Sequence, residues 1–521
     1  MTPSVRRSHG DGTTDAADDA RWLSIPQPDS FAPTGGWWHP AGVAVVADDP
    51  LLDAEADRVR AELAGLRRMP TVRVTERARG PARPSTLVLR LHRPVSDGPR
   101  ADALAAEAYR IDVGDDVVVT AATATGAFRA TRQLLHNLRA QGAVPRGRVA
   151  GAPRVAERGL HLDTARKHYG ADWTVALLHA AADVGINAFQ WHFSDDEGFR
   201  IASDAFPEVV SDEHVTRDEA RRIVETARDL HVAVVPALDM PGHLRHVLDA
   251  HPELRLPRAE GLPDAAVSGE GALDITDRDA VGFAHRLIDD LAPLFPHSDR
   301  WNLGGDEFVD FALIDRYPAL AESARERFGA DATGFDLLTA FVNDTAAHLR
   351  GRGFEARAWN DGMLRGAVVR LDRAVELTWW TNWSALMRPL SDAVAAGHGL
   401  VNVDDELLYY VLGEKAGYRY PTAARMWAAD WHPGLFPTLR SGARQELAAP
   451  YPDLLRGCCF AVWADDPDAQ TRDQVAAGIR APLRAMAERA WNGGSSLSLA
   501  EFVEIDERIG GVAPWPEAEP A

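Results

Sequence analysis

The sequence has few cysteines and no long apolar segment. Its 521 residues include two cysteines, the adjacent pair Cys458 and Cys459 in an apolar run. That number excludes a disulfide framework and favours packing of both residues as small buried hydrophobic side chains. No segment approaches the length of a membrane span, and residues 1–30 lack the apolar centre of a secretory signal. We therefore expect a cytoplasmic protein without a membrane partner.

Positively charged residues are scarce relative to acidic ones. The chain has 56 Lys and Arg against 77 Asp and Glu, which gives a net charge of −21. This balance disfavours nucleic acids and anionic membranes as partners, whereas a neutral ligand is not repelled. The length exceeds what one hydrophobic core usually supports, so two or three domains are expected.

The first part of the chain is predicted to contain a leader and a small domain. Residues 1–35 are rich in Asp, Ala, Ser and Thr, which indicates a disordered leader. Strand-like runs follow at 85–91, 108–113 and 116–121, and residues 126–139 have apolar side chains at helical spacing. Residues 36–152 are therefore predicted to form a small α/β domain with a packing or scaffold role.

Residues 153–521 alternate short apolar runs with helical segments, as βα units do. Eight candidate strands begin near Gly159, Asn187, His231, Arg300, Phe354, Val375, Gly399 and Gly457. This pattern predicts an α/β fold, a (β/α)8 TIM barrel, whose active site lies at the carboxyl ends of the strands. The segment 404–456 is too long for an ordinary connection, so we expect it to fold over the mouth of the barrel.

The run WNLGGDE at 301–307 follows the fourth predicted strand. Its two glycines allow a sharp turn and a close approach to a ligand. The adjacent carboxylates Asp306 and Glu307 repel each other, so one can stay ionised while the other holds its proton. This pair is a candidate for acid catalysis; taken alone, it also fits a solvated turn.

Other motifs precede and follow that run in a fixed order. The set comprises ERGLHLDTAR (157–166), WHFSDDEGFRI (191–201), DMPGH (239–243), GGDE (304–307), WNDG (359–362), WW (379–380), WAD (463–465) and AERAW (487–491). Together they resemble glycoside hydrolase family 20, the β-N-acetylhexosaminidases, over residues 157–491. The family also commonly carries a small domain before its barrel, which agrees with the predicted domain at 36–152.

The resemblance implies an exo-acting retaining enzyme that removes terminal β-linked N-acetylhexosamine and needs no cofactor or metal. Glu307 would be the general acid, and Asp306 would orient the substrate's 2-acetamido group, which attacks as the nucleophile and forms an oxazolinium ion. Tyr409 would hold the acetamido oxygen, with the adjacent Tyr410 as the alternative. His243 would support the acid through Asp195 or Asp239.

Further residues are expected to bind the sugar. Arg158 resembles the arginine that grips sugar hydroxyls, and Asp195 and Asp465 would bind there as well. Asp465 stands where the family more often has Glu, and the chain lacks a Tyr-x-Asp arrangement after Tyr409. An aromatic box around the sugar ring is expected from three tryptophans at strand ends, namely Trp359, Trp380 (with Trp379 as its alternative) and Trp463. The resemblance leaves the choice between GlcNAc and GalNAc, the linkage and the oligomeric state open.

Two other classes of function fit parts of the pattern. A metal-dependent barrel hydrolase could use the imidazole and carboxylate groups of His161, Asp163, His192, Asp195, His243 and Asp306. That hypothesis leaves the tryptophans unused and places a cation near Arg158. A noncatalytic sugar-binding barrel is the other alternative, and the intact pair of acids at 306–307 argues against it.

Overall fold

The computed structural model describes residues 20–40, 42–66, 85–92, 99–257 and 270–512. The chain separates into two compact units, and the change between them falls between Ala152 and Pro153. Residues 99–104 group with the second unit. No helix in these described ranges is both long and apolar enough to cross a membrane.

The first unit is built on a six-stranded sheet. Its elements, together with helix α2, follow the chain order β1 (Ser30–Trp38), β2 (Ala44–Ala47), α1 (Asp53–Leu66), β3 (Thr86–Leu91), α2 (Pro99–Ala106), β4 (Tyr109–Val113), β5 (Val117–Ala121), α3 (Ala124–Gln141) and β6 (Val144–Gly151). The sheet order is β1-β6-β4-β5-β3-β2, with antiparallel pairs on the β1 side and parallel pairs on the β2 side.

The predicted disordered leader is wrong for residues 20–35. Strand β1 begins at Ser30 and pairs with β6. Before it, Trp22 is buried and its Nε1 donates to Oε1 of Gln133 at 2.9 Å, while Ile25 is also buried. The polar average of the segment concealed these few apolar side chains, which are enough to attach it to α3. Residues 1–19 lie outside the described residues.

The second unit contains eight parallel strands that close into a barrel. The strands of this unit are β7 (Glu157–Asp163), β8 (Ala188–Asp195), β9 (Gly198–Phe199), β10 (Ala233–Leu238), β11 (Arg300–Asn302), β12 (Glu355–Trp359), β13 (Glu376–Trp379), β14 (Leu400–Asn402), β15 (Tyr409–Val411), β16 (Leu435–Phe436), β17 (Gln445–Glu446) and β18 (Leu455–Trp463). The closed order is β7-β8-β10-β11-β12-β13-β14-β18, and β18 pairs back to β7. The predicted (β/α)8 barrel is confirmed.

Helices of the second unit follow most of the barrel strands. They are α4 (Ala171–Asp183), α5 (Arg217–Asp229), α6 (Arg245–Ala250), α7 (Arg278–Leu291), α8 (Pro318–Phe328), α9 (Gly334–Gly351), α10 (Leu390–Ala396), α11 (Ala423–Ala428), α12 (Arg472–Asn492) and α13 (Leu499–Ile509). Capping boxes fix the starts of several of them, as at Thr216 before α5 and Thr471 before α12. Cys458 and Cys459 are free and buried in β18, as expected.

Candidate active site

A cavity of about 620 Å³ opens at the carboxyl ends of the barrel strands. Side chains that follow six different barrel strands line it, together with residues between 405 and 425. The latter belong to the long segment before β18, which therefore lies at the mouth as its length predicts. This is the end of a (β/α)8 barrel at which active sites are found.

Two glycines after β11 deliver the acidic pair to the cavity. Gly304 and Gly305 have φ angles of +79° and +89°. A Cβ atom on Gly304 would lie 1.7 Å from Oδ1 of Asp239, so the backbone there needs a residue without a side chain. The same Asp239 oxygen accepts the backbone N–H of Gly305 at 3.2 Å. Asp306 and Glu307 follow directly, and both line the cavity.

Glu307 occupies a strained backbone position for a residue with a side chain. Its φ is +41°, and its N–H donates to Oδ2 of Asp361 at 3.1 Å. Burial and the charge of Asp306 raise the pKa of the Glu307 carboxyl, although the positive charge of His243 opposes that shift. A carboxyl with a raised pKa keeps its proton closer to neutral pH, as a general acid requires.

His243 links the acidic pair to a buried carboxylate. Its Nδ1 lies 3.0 Å from Oδ1 of Asp195, and its Nε2 lies 3.7 Å from Asp306 and 3.8 Å from Glu307. Burial alone would lower the pKa of His243, but the charge and hydrogen bond of Asp195 outweigh it and raise the pKa well above its usual value. Of the two expected partners, the structure selects Asp195 over Asp239.

Asp195 contacts protein groups at both carboxylate oxygens. Besides His243, it bonds to Nε2 of His192 at 2.7 Å, to a guanidinium nitrogen of Arg166 at 2.9 Å and to the backbone N–H of Asp196 at 2.7 Å. Burial alone would raise the pKa of this carboxyl, but Arg166 and His243 hold it well below the usual range. Asp195 lines the cavity and fixes the charged side chains around it, while its expected role in binding sugar hydroxyls stays a prediction.

The prediction for Arg158 is wrong. Arg158 is the second residue of β7, it is fully buried, and its guanidinium donates to the carbonyls of Gly185 and Val155 while lying over the ring of Trp491. A residue at the start of a barrel strand lies at the amino end of the barrel, opposite the active-site end. Arg158 thus stabilises the base of the barrel.

Arg166 lines the cavity instead, and the sequence reasoning missed it. It follows the carboxyl end of β7 and pairs with Asp163 at 3.0 Å, with Asp195 at 2.9 Å and with Glu197 at 3.2 Å. Its guanidinium also lies 5.6 Å from the ring centre of Trp463. The signal was present in the sequence, because Arg166 ends the same motif and stands after the strand rather than at its start.

Two of the three expected tryptophans line the cavity. Trp380 and Trp463 do so, whereas Trp359 is not among the lining residues within the described part of the chain. Trp359 is 2% exposed, and its ring centre lies 5.9 Å from those of Trp463 and His161. It therefore supports the aromatic wall from behind. Trp379 is buried, with its Nε1 bonded to Asn382.

The structure separates the two candidate tyrosines. Tyr409 lines the cavity and stacks on Trp380, with ring centres 5.9 Å apart and planes inclined by 3°. The Tyr410 hydroxyl accepts from Gln470, and its ring stacks on Tyr420. Val411, where a Tyr-x-Asp arrangement would have a carboxylate, also lines the cavity. Asp465 lines the cavity, and burial raises the pKa of its carboxyl.

Asp361 is a second residue that sequence reasoning missed. It is buried, one carboxylate oxygen accepts Nε1–H of Trp380 at 3.2 Å, and the other accepts the N–H of Glu307. Burial and the charges of Asp306 and Glu307 raise its pKa to about 8. It connects the aromatic wall to the acid. Its motif, WNDG, indicated the end of a strand but did not reveal these partners.

Within the described residues, one group of side chains could ligate a metal, and protein groups already engage it. Asp195, Asp196 and His243 offer ligand atoms within 4.8 Å of one another. However, Nδ1 of His243 bonds to Asp195, Asp196 accepts the N–H of Arg245 at 2.9 Å, and Arg166 lies against Asp195. A cation there would have to displace these bonds and face a guanidinium. The donor chemistry thus does not favour the metallohydrolase alternative.

Two family models match the chain. The one described as glycosyl hydrolase family 20, catalytic domain, matches residues 156–494. The one described as glycosyl hydrolase family 20, domain 2, matches residues 24–152.

Curated relatives match over different shares of the chain. A lacto-N-biosidase from Bifidobacterium bifidum is 27% identical over 92% of this chain and 42% of its own length. A β-hexosaminidase from Porphyromonas gingivalis is 26% identical over 49% of this chain and 35% of its own length. The chain therefore spans less than half the length of these two relatives.

Solved structures share the fold. A chitobiase from Flavobacterium johnsoniae superposes with a TM-score of 0.72 at 22% identity, covering 93% of this chain and 72% of that one. A β-N-acetylhexosaminidase from Streptomyces coelicolor gives a TM-score of 0.69 at 23% identity, covering 95% of this chain and 98% of that one. With a catalytic-domain model that matches well over half of its residues, the chain belongs to glycosyl hydrolase family 20.

Proposed function

We propose that the protein is an exo-acting, retaining β-N-acetylhexosaminidase that uses substrate assistance. One observation carries the proposal: Asp306 and Glu307 lie side by side in the cavity, with Nε2 of His243 within 4 Å of both carboxylates. In this arrangement one carboxyl donates a proton while its neighbour faces the developing positive charge.

The reaction proceeds in two displacements. Glu307 donates its proton to the glycosidic oxygen as the C–O bond breaks, and the acetamido oxygen of the substrate forms a bond to the anomeric carbon. Asp306 accepts the acetamido N–H and balances the charge of the oxazolinium ion. Glu307, now ionised, takes a proton from water, which attacks the anomeric carbon and opens the ring. Two inversions give net retention.

Neighbouring carboxyls adjust the charge around Asp306. Burial and the charge of Asp306 raise the pKa of Asp239 well above its usual range. Asp361, with its pKa of about 8, is the second such neighbour. A raised pKa favours the protonated form of each of these neighbours, and a protonated neighbour does not repel a negative charge on Asp306.

The remaining cavity walls fit a terminal sugar. Arg166 offers several N–H donors in a planar fork, and Asp465 offers acceptors, so together they suit sugar hydroxyls. The stacked rings of Trp380 and Tyr409 provide an apolar wall for the acetamido methyl, and the Tyr409 hydroxyl would hold the acetamido oxygen. The ligand in this proposal is thus a terminal N-acetylhexosamine.

A second candidate is the release of lacto-N-biose, the unit for which the Bifidobacterium relative is named. That relative matches over 92% of this chain, against 49% for the Porphyromonas β-hexosaminidase. The same acidic pair would serve both reactions, since both cleave the bond of an acetamido sugar. The two candidates differ in whether the product carries a further sugar.

Turnover of four 4-nitrophenyl β-glycosides side by side tests the proposal. The sugars are N-acetylglucosamine, N-acetylgalactosamine, glucose and lacto-N-biose. We expect hydrolysis of an acetamido monosaccharide and none of the glucoside, which has no acetamido oxygen. Release of intact lacto-N-biose alone would establish the second candidate. Comparable hydrolysis of the glucoside would overturn substrate assistance.

A further inference from the structure

We propose that Trp383 is the platform on which the leaving group of the substrate stacks, and that this leaving group is a pyranose ring. The inference rests on the proposed function and adds a binding site for the departing part of the substrate. Trp383 lines the cavity but is 58% exposed, whereas Trp380 and Trp463 are 7% and 9% exposed. An indole face left open at a cavity rim is free to receive a ligand ring.

The exposure of Trp383 does not come from a loose loop. The preceding residue, Asn382, is buried and makes three side-chain hydrogen bonds. Its Oδ1 accepts Nε1–H of Trp379 at 2.9 Å and Nε2–H of Gln445 at 2.7 Å, and its amide donates to the carbonyl of Arg388 at 2.9 Å. Asn382 thus anchors the backbone before Trp383 and ties it to Arg388 after it, which lowers the entropic cost of stacking.

The order of the strands places Trp383 away from the hydroxyl-binding wall. Trp383 follows β13, the sixth barrel strand, while Asp195 ends the second strand, directly opposite in the closed sheet. Arg166 and Asp465 follow the first and eighth strands beside it. Glu307 follows the fourth strand, between the two sides. Trp380 also follows β13 but is 7% exposed and belongs to the wall proposed for the acetamido group, whereas Trp383, three residues further along, is exposed at the rim. Since Glu307 protonates the oxygen that joins the terminal sugar to the leaving group, the rim beyond Trp380 is where the leaving group lies.

A second aromatic residue stands at the same mouth. Tyr418 lines the cavity and packs against the aromatic cluster of Trp380, Tyr409 and Trp463. Asp405 also lines the cavity, and its carboxyl interacts with both Tyr418 and Thr381. Asp405 therefore lies between the wall that carries Tyr418 and the loop that carries Trp383.

Arg425 holds the other end of this wall. Its guanidinium donates to the carbonyl of Glu406 at 2.6 Å and to those of Arg419 and Tyr420 at 2.8 and 3.2 Å. The cavity thus offers an exposed indole face together with hydroxyl and carboxylate groups. A pyranose has a matching surface, because its axial C–H groups form an apolar face and its hydroxyls lie around the rim.

Kinetics with two leaving groups test the platform. Three donors, N-acetylglucosamine, N-acetylgalactosamine and lacto-N-biose, are each supplied as the β-fluoride and as the β-1,3-glycoside of lactose. For whichever donor the parent enzyme releases, Trp383→Ala should lower kcat/KM for the lactoside by about 3- to 10-fold, the size of an aromatic stacking contact. The fluoride has no ring to stack, so its kcat/KM should stay within about twofold. Trp383→Phe should restore most of the loss.

A matched control is Leu386→Ala, which truncates another exposed apolar side chain of the same loop. It should leave both substrates unchanged. If Trp383→Ala slows the fluoride and the lactoside alike, or slows neither, Trp383 is not a leaving-group platform. If the parent enzyme cleaves none of the three donors in either form, the proposed function has failed instead.

Discussion

At the scale of single residues, the charges of the cavity depend on Asp195. This buried carboxylate holds Arg166 on one side and His243 on the other. The first faces the expected position of the sugar hydroxyls, and the second faces Asp306 and Glu307. In the proposed mechanism, Asp195 thereby links the sugar-binding side of the cavity to the acid.

Replacing Arg166 and replacing Arg158 should have opposite consequences. Arg166→Lys keeps the charge but loses the planar fork, so kcat/KM should fall by about 10- to 100-fold with little change in Tm. Arg158→Lys loses buried hydrogen bonds far from the cavity, so kcat/KM of the folded enzyme should be retained. Its Tm should fall by about 2–4 °C for each kcal/mol of unfolding free energy that is lost. Thermal unfolding and steady-state kinetics on both variants give the comparison. Reversed effects would restore Arg158 as the sugar-binding residue.

Glu307→Gln should remove general acid catalysis and keep the fold. The rate of cleavage should fall by about 10²- to 10⁴-fold for glycosides with poor leaving groups. A 2,4-dinitrophenyl glycoside needs little protonation, so its cleavage should be affected far less. Single-turnover rates on a series of aryl glycosides measure this dependence. An equal loss across the series would mean that another group is the acid.

The pH profile should report the link between His243 and Glu307. Protonated His243 lowers the pKa of Glu307, opposing the effects of burial and of Asp306. His243→Gln removes that positive charge, so the pKa of Glu307 should rise and the alkaline limb of the kcat/KM profile should move to higher pH. The control is His246→Gln, a histidine outside the cavity wall. An alkaline limb that stays in place or moves to lower pH would contradict the link.

At the scale of elements, the amino ends of the barrel strands are joined by a cluster of charges. Glu376, which begins β13, pairs with Arg357 of β12 at 2.9 Å, with Arg456 of β18 at 2.9 Å and with Arg300 of β11 at 3.3 Å. Arg357 also forms a bidentate pair with Glu157 of β7. Burial alone would raise the pKa of Glu376, but the three arginines lower it to about 2.

This cluster should make stability depend on acid pH. The pKa of Glu376 is about 2 in the folded protein and 4.5 in the unfolded chain. The carboxyl therefore stabilises the fold by roughly 3 kcal/mol above pH 4.5, and this contribution is lost as the pH falls towards 2. Glu376→Gln should therefore lower the unfolding free energy at pH 7 and matter less at pH 3. The exposed Glu355→Gln serves as the control. Urea unfolding at both pH values measures the difference, and an equal effect at both would contradict the account.

The sequence predicts the elements better than the contacts between them. The alternation of strands and helices gave the barrel, and the glycines before Asp306 marked a turn at a strand end, because both signals are local. Arg158 was misassigned because its place at the start of a strand, rather than its end, decides which side of the barrel it faces. Asp361 bonds to Glu307 and Trp380, which lie at distant positions in the sequence, and no local pattern reveals such partners.

At the scale of the whole molecule, the barrel supplies every side chain in the proposed mechanism. The acid, the charge-balancing carboxylate and the aromatic walls all come from the unit that begins at Pro153. The domain 2 model matches residues 24–152, so the six-stranded sheet is a family feature as well. The central claim is that the barrel arranges Asp306 to stabilise an oxazolinium ion formed by the substrate itself.

Inhibition by a thiazoline mimic of that bicyclic intermediate tests this claim most directly. The inhibition constants of the thiazoline and of N-acetylglucosamine are measured for the parent, for Asp306→Asn and for the exposed control Asp299→Asn. We predict that the parent and the control bind the thiazoline at least about 10²-fold more tightly than the sugar. Asp306→Asn should lose most of this preference, and its kcat should fall by about 10²–10³-fold. A thiazoline that inhibits the parent no better than the sugar, or an Asp306→Asn variant that keeps both its preference and its kcat, would contradict the account.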